Sequence, residues 1–238
     1  MFVVHANPEV PELIKSREAA NQTRKDESPL TLDRSKNIDE EISTQVIDFL
    51  ERNDPEKTDK PFFVWHNLAR MHVTTVLNEK YLGMVGEPCG KDRCANKAGT
   101  KEMDDNIGYV LKKLKVIREI DKTIIAFSTD NAADTIMLPN GGVTLFKGGK
   151  LTTWKGGMRA PMVFLWPDKI NPGTMLNETF ASLDWLPTLV EAANGPKCND
   201  LKAELEKGAY PGFIKTTLDG VNQMAYLIGE PDSSARDC

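Results

Sequence analysis

Long apolar stretches and an excess of positive charge are both missing from this chain. No apolar run reaches the roughly 20 residues that a bilayer-spanning helix needs. The start, MFVVHANPEVPELIK, lacks the basic and long apolar regions of a signal peptide, so the sequence assigns no localisation. A net charge of −5 argues against a general nucleic-acid binder. What is left is an ordinary globular composition, with 40% hydrophobic and 27% charged residues among 238.

Cysteine is also scarce, with four residues in the whole chain. Cys89 and Cys94 are close enough for a local disulfide in an oxidising compartment, and they are equally compatible with reduced thiols. A zinc site would need further ligands at suitable spacing, and His66 and His72 are both distant in sequence. Cysteine use therefore assigns neither a compartment nor a metal.

The chain divides by composition into three segments. Residues 1–36 are polar and lack an apolar period, so we expect an irregular or partly disordered segment. Residues 37–209 hold the periodic elements of a folded core, and Asn37 is placed to cap their first helix. Residues 210–238 are expected to begin a truncated C-terminal element.

Within the core, strand patterns alternate with helix patterns. Apolar spacing predicts helices over 38–53, 103–117 and 183–193, buried strands over 62–65, 124–128 and 162–166, and a loop over 83–99. This alternation indicates an α/β fold in which helices connect the strands of one sheet.

An Asp-Asn pair follows the strand predicted over 124–128. Open α/β sheets place ligands at the carboxyl ends of strands, and Asp130 and Asn131 carry the hard oxygen donors that suit Ca²⁺ or Mg²⁺. An Asp-Asn pair is also common in simple turns. The glycine-rich stretch 147–161 adds Lys150, a cation able to meet an oxyanion, and it lacks the spacing of a P-loop. Together these motifs predict a metal-plus-anion site.

These motifs, in this order, resemble the sulfatase family of the alkaline-phosphatase superfamily, especially bacterial arylsulfatases. The resemblance rests on STDNAA, GGVTLFKGGKLTTWKGGMRAPMVFLWPDKINPGT and SLDWLPTLVEAANG. KPFFVWHNLARMH upstream and TLDGVNQMAYLIGE downstream extend it from about Ile38 to Glu230. It implies a mainly parallel central sheet flanked by helices. It also implies hydrolysis of sulfate esters, in small molecules or sulfated glycans, with Ca²⁺ or alternatively Mg²⁺.

The same resemblance assigns roles to individual residues. Asp130 and Asn131 match the family's second pair of metal ligands, and Lys150 matches its sulfate-contacting lysine. His72 matches the histidine that binds a sulfate oxygen or helps to protonate the leaving alcohol. Trp154 is open to two interpretations, one at the border of an aryl pocket and the other in the core.

The chain also departs from the family at several positions. Many relatives have a second histidine near Val76, a glycine where Ala132 stands, and Gly-Glu-Lys where this chain has Gly148-Gly149-Lys150. At the last position the acid is lost and the lysine is kept.

The family's nucleophile motif is absent from the sequence. Relatives make a formylglycine from the first residue of Cys/Ser-x-Pro-Ser/Ala-Arg, and no cysteine or serine here begins that motif. The family's early pair of metal-binding aspartates is missing too. Asp104 and Asp105 are no substitute, because we expect them at the start of a helix, where acids favour the dipole. The chain therefore looks like the later part of a sulfatase.

Two further interpretations stay open. The chain could be a non-catalytic remnant or subunit of a sulfatase, or a relative that hydrolyses phosphodiesters or phosphonate monoesters. Because strands would be missing from the sheet, we expect a second copy or a partner chain to cover its open edge.

Overall fold

A computed structural model describes residues 29–72, 75–85, 91–135, 142, 144–211, 214–230 and 234–236. These residues form two compact units, one ending at Leu165 and the other beginning at Trp166. The segment boundaries predicted at residues 36 and 209 stay predictions. Cys89 and the side chain of Cys94 lie outside the described residues. No helix in the described part of the chain is long and apolar enough to cross a membrane.

The first unit is mainly helical with one pair of strands. Its elements are α1 (Leu32–Ser35), α2 (Ile38–Arg52), α3 (Pro55–Thr58), α4 (Glu79–Leu82), α5 (Lys91–Val116), β1 (Ile125–Ser128), α6 (Lys155–Met158) and β2 (Met162–Leu165). Short 3-10 turns occupy Gly83–Val85 and Ile120–Lys122.

Helix α2 confirms the first predicted helix to within one residue. Its cap differs from the prediction, because the Asn37 side chain makes no capping hydrogen bond and instead accepts one from Asn78 Nδ2 at 2.9 Å. Helix α1 also falls where an irregular segment was predicted. The Thr31 hydroxyl caps α1 by accepting from the Arg34 amide, a local signal that apolar periodicity does not detect.

Helices α2 and α5 pack against each other to form the main core of this unit. Leu50 of α2 lies with Leu114 of α5 and with Ile117, all of them buried. The partly buried residues around them are Val46, Phe62, Val64, Val110, Leu111, Ile120 and Ile125. The apolar faces of the two helices therefore meet as their periodicity predicts.

The prediction of a loop over 83–99 is wrong from Lys91 onward, because α5 begins there. Gly99 lies inside this helix, and a Cβ at that position would be 2.6 Å from the Met71 sulfur, so a larger residue would force the Met71 side chain to move. Asp104 and Asp105 are consequently in the middle of a helix, not at its start. Asp105 pairs with Lys101 one turn earlier, and this hydrogen bond lowers the pKa of Asp105.

The strands differ from prediction in pairing and in burial. β1 and β2 are antiparallel, with Phe127 opposite Val163, and they form the one sheet among the described residues. The mainly parallel sheet is thus not seen in this part of the chain. Both strands were predicted to be buried, yet Phe127, Val163 and Leu165 are exposed. Strands that are apolar on both faces are typical of sheets covered on both sides. Here Ile125 packs against the core of α2 and α5, while Phe127, Val163 and Leu165 stay exposed.

The predicted strand over 62–65 is not observed. Residues 61–69 have no ladder partner among the described residues, although burial alternates from Phe62 to His66 as in an extended chain. A burial period of two indicates an extended segment, but a β-strand also needs hydrogen bonds to a neighbouring strand.

Buried polar groups hold this extended segment against the helices. Asp39 of α2 is fully buried and accepts hydrogen bonds from the amides of Ala69 and Arg70 at 2.7 and 3.1 Å. The Arg70 guanidinium donates to both carboxylate oxygens of Glu102 in α5, at 3.1 and 3.2 Å. Burial raises the pKa of Glu102, although Arg70 acts against this shift. One arginine therefore links the segment to two helices.

The second unit is described by itself. It contains a 3-10 turn (Ser182–Asp184), α7 (Trp185–Ala192), α8 (Cys198–Lys207) and α9 (Met224–Leu227). Helix α7 confirms the predicted helix, which ends where Asn194 takes a left-handed φ of 61°. Helix α8 was not predicted from the sequence.

The buried carboxylate of Asp184 organises this unit. It accepts hydrogen bonds from the amides of Ala181 and Val221, from Gln223 Nε2 and from the Arg236 guanidinium. Burial opposes ionisation, but these donors outweigh it and lower the pKa of Asp184. The C-terminal residues are thereby tied back to the start of α7.

Candidate metal and anion site

The chain leaves β1 through a turn that carries Asp130 and Asn131. Two hydroxyls shape this turn, since Ser128 Oγ donates to the Thr129 carbonyl and Thr129 Oγ1 donates to the Asn131 carbonyl at 2.6 Å. Asp130 is exposed and Asn131 is half-buried. Neither side chain forms a hydrogen bond or ion pair with another described residue. Their oxygens are therefore available to a ligand.

The glycine-rich stretch forms a compact loop, which we call the glycine loop (residues 144–161). The Gly156 amide donates to the Lys147 carbonyl at 2.8 Å and closes the loop across its ends. A Cβ on Gly157 would lie 2.3 Å from the Thr152 carbonyl oxygen and 2.4 Å from that of Gly149. These contacts leave no room for a side chain at Gly157, which is why the close packing requires glycine.

Two backbone hydrogen bonds join the glycine loop to the Asp130 turn. The Ala132 amide donates to the Gly157 carbonyl at 3.2 Å, and the Lys150 amide donates to the Ala133 carbonyl at 2.9 Å. Lys150 is half-buried, and its ammonium group forms no ion pair with a carboxylate of the described residues. The backbone that carries this cation is thus bonded to the turn that bears two oxygen donors.

His72 is positioned by a different part of the first unit. It follows the extended segment. Its amide donates to the Ala69 carbonyl and its carbonyl accepts from Thr75 Oγ1, and these two hydrogen bonds are local. Arg70 fixes the chain on both sides of it, because the guanidinium also donates to the Val76 carbonyl at 3.0 Å. The predicted meeting of His72 with Lys150 at one pocket stays a prediction.

Asp130 and Asn131 fit a hard divalent cation in donor type but not in number. Ca²⁺ takes six to eight oxygen ligands, whereas this turn offers one carboxylate and one amide. Among the residues that the structure describes, no group of three or more His, Cys, Asp or Glu side chains comes together. The turn can therefore supply part of a metal site, and other ligands would have to complete it.

Two further cations of the glycine loop make cation–π contacts with aromatic rings. Lys147 Nζ lies 4.0 Å from the centre of the Trp154 ring, and the Arg159 guanidinium lies 4.9 Å from that of Phe146. Trp154 is 53% exposed, so it does not serve the core. Neither contact was predicted from the sequence, although the spacing of cations and aromatic residues in the loop indicates that cation–π contacts can form.

The sequence matches a family model as well as individual proteins. The model described as Sulfatase matches residues 9–195. Human arylsulfatase A is 28% identical over 178 residues, which cover 74% of this chain and 30% of that protein. Human arylsulfatase H is 25% identical over 228 residues, covering 93% of this chain and 34% of that protein. The chain spans about a third of the length of these relatives.

Solved structures share the fold. A PsFucS1 sulfatase from Pseudoalteromonas sp. superposes with a TM-score of 0.73 at 23% identity, over 91% of this chain and 40% of its own. Ps i-CgsB in complex with k-i-k-neocarrahexaose gives a TM-score of 0.67 at 21% identity, over 90% of this chain and 45% of its own. The predicted α/β sulfatase-like fold class is thereby confirmed. The extent of the family match leads to the conclusion that this chain belongs to the sulfatase family.

Proposed function

We propose that this chain supplies the metal-and-sulfate-binding part of an arylsulfatase-like hydrolase of sulfate esters. The observation that carries the proposal is the pair of backbone bonds between the glycine loop and the Asp130 turn. These bonds join the backbone that carries Lys150 to the turn that carries two hard oxygen donors. Sulfate is an oxyanion, and a divalent cation with a lysine is a suitable environment for it.

Each residue has a distinct role in this proposal. Asp130 and Asn131 hold Ca²⁺, with Mg²⁺ as the alternative, and the bound ion would stabilise negative charge on the sulfate group. The Lys150 ammonium donates hydrogen bonds to a sulfate oxygen. His72 binds a second oxygen or donates a proton to the departing alcohol, which would otherwise leave as an unstable alkoxide.

The nucleophile has to come from outside these 238 residues. No Cys/Ser-x-Pro-Ser/Ala-Arg motif occurs in the sequence, so formylglycine cannot form here. A covalent nucleophile divides a difficult displacement into two easier steps. Electrostatic groups alone still give roughly a thousandfold acceleration over water in hydrolases stripped of their catalytic side chains. We therefore expect very low turnover from this chain alone.

The exposed strands support a partner that completes the fold. Phe127 is 37% exposed, Val163 68% and Leu165 43%, and all three lie on the same face of the two-stranded sheet. An open apolar sheet invites association through its face and edges. We propose that a polypeptide bearing the nucleophile motif covers these strands, with a second copy of the chain as the alternative.

Two alternatives make different predictions. A non-catalytic remnant or subunit is supported by the missing nucleophile and by the incomplete ligand set. Hydrolysis of phosphodiesters or phosphonate monoesters would use the same metal and lysine on a different oxyanion. The sulfatase family match favours sulfate esters. The k-i-k-neocarrahexaose bound to Ps i-CgsB is an oligosaccharide, and together with the family match it suggests a sulfated glycan as the natural substrate.

The experiment is a substrate comparison with complementation. The purified chain is assayed on p-nitrophenyl sulfate and on bis-p-nitrophenyl phosphate, with Ca²⁺ or EDTA, alone and with a polypeptide carrying a formylglycine segment. We expect Ca²⁺-dependent sulfate hydrolysis only with the added segment, and its loss in Lys150→Ala. Preference for the phosphodiester would replace the sulfatase proposal. No activity in any mixture would favour the non-catalytic alternative.

A further inference from the structure

The glycine loop is unusual for its uncompensated positive charge. No acidic residue occurs between Asp134 and Asp168, although 35 of the 238 residues are Asp or Glu. The same stretch holds four cations: Lys147, Lys150, Lys155 and Arg159. Its resemblance to Gly-Glu-Lys loops identifies one place, at Gly149, where an acid has been lost. A basic loop in an acidic chain calls for an explanation.

The cations of this loop are held in place without being neutralised. Lys147 and Arg159 are exposed and stack on the rings of Trp154 and Phe146. Neither forms an ion pair with a carboxylate of the described residues. An aromatic ring orders a cation and leaves its full charge, whereas a carboxylate would cancel it. The two charges are thus arranged in advance for an anion from outside.

Backbone hydrogen bonds hold the residues that carry these cations in the same closed loop as Lys150. The Lys147 carbonyl accepts from the Gly156 amide, and the Arg159 amide donates to the Lys155 carbonyl at 2.9 Å. Lys150 lies within the same closed loop and is bonded to the Asp130 turn. An anionic group held by Lys147 and Arg159 would therefore belong to the same ligand as an ester sulfate at Lys150.

From this arrangement we propose that Lys147 and Arg159 form a second anion subsite, and that the substrate is an oligosaccharide carrying at least two anionic groups. This inference rests on the proposed function, because the first subsite is the one assigned to the ester sulfate. A monosulfated ligand would leave the second pair of cations unused. A disulfated ligand engages both subsites, and Lys155 adds to the local positive potential.

The test compares ligands of equal sugar composition. The full chain is titrated calorimetrically, in low salt with Ca²⁺, with a disulfated and a monosulfated form of one disaccharide. Two exposed charge contacts change affinity by roughly two- to thirtyfold, so we expect the disulfated form to bind tighter within that range. The Lys147→Gln/Arg159→Gln variant should remove this advantage. The Lys112→Gln/Lys115→Gln variant removes two exposed cations of α5 and should keep it.

A heparin column provides a readout that does not require the ester site. The wild-type chain should be retained at low salt and should elute at lower salt after the Lys147→Gln/Arg159→Gln change, but not after the α5 change. The interaction should weaken as salt shortens the screening length from about 10 Å at 0.1 M to about 3 Å at 1 M. Lack of retention, equal elution of both variants, or equal binding of the two disaccharides would overturn the subsite. If the proposed sulfatase activity fails while these results hold, the subsite stands by itself.

Discussion

Removing the Glu102 carboxylate should destabilise the first unit more than any surface change. Glu102 is fully buried and accepts two hydrogen bonds from Arg70, whose side chain is 3% exposed. In Glu102→Ala the guanidinium stays buried without its main counter-charge. Breaking a buried ion pair from one side costs about 3–5 kcal/mol.

Other groups around Arg70 moderate this cost. Asp39 Oδ2 lies 3.8 Å from Arg70 Nε, and the carbonyls of Ser35, Lys36 and Val76 still accept from the guanidinium. We therefore expect Glu102→Ala to lower the free energy of unfolding by about 3 kcal/mol, the lower end of the range. For a chain of this size that corresponds to a fall of roughly 6–12 °C in Tm.

The assay has to report on the first unit alone, because the chain divides into two compact units. Amide hydrogen exchange of α2 and α5 measures their opening free energy directly. Glu51→Gln is the matched control, since Glu51 of α2 forms a surface ion pair with Lys113 of α5. If Glu102→Ala and Glu51→Gln gave equal protection in α2 and α5, Arg70 would not be the anchor described above.

Two further predictions concern the second unit and the glycine loop. The lowered pKa of Asp184 means that its contribution to stability is complete above its ordinary pKa of 3.8 and is lost as pH falls through the folded value. The protection factors of the α7 amides, which are corrected for the intrinsic pH dependence of amide exchange, should therefore fall in acid. Asp184→Asn should flatten this dependence, while the exposed control Asp200→Asn should not. Gly157→Ala forces a Cβ to within 2.3 Å of a carbonyl oxygen, so the glycine loop must open and lose amide protection. In the control Gly108→Ala the added Cβ meets nothing within 4 Å, so this change should be neutral or slightly stabilising. Equal protection of the loop amides in both variants would contradict the packing argument.

Local sequence signals predicted some elements well. Helices α2 and α7 were predicted to within a residue or two at their ends, because each has a clear apolar face and a recognisable stop signal. The start of α5 was missed because Gly99 and a nearby proline resemble a loop. Only the contact of Gly99 with Met71, from a distant part of the chain, shows why a glycine is suited to that helix.

Long-range pairing could not be read from the sequence. The partners Asp39, Arg70 and Glu102 lie more than 30 residues apart, and no local pattern relates them. The antiparallel pairing of β1 with β2 likewise depends on tertiary contacts. For the candidate site, the motifs predicted that the Asp130 turn and the glycine loop come together, and two backbone bonds join them. The ligand roles of Asp130, Asn131, Lys150 and His72 stay predictions.

Calcium titration of the purified chain tests the central claim most directly, because the claim is that the turn and the glycine loop bind metal and sulfate together. Calorimetry should detect weak Ca²⁺ binding that is strengthened by inorganic sulfate. Asp130→Ala should abolish the metal binding, Lys150→Ala should abolish the effect of sulfate, and the exposed control Asp48→Ala should change neither. Calcium binding that survives Asp130→Ala, or that sulfate leaves unchanged, would contradict the account.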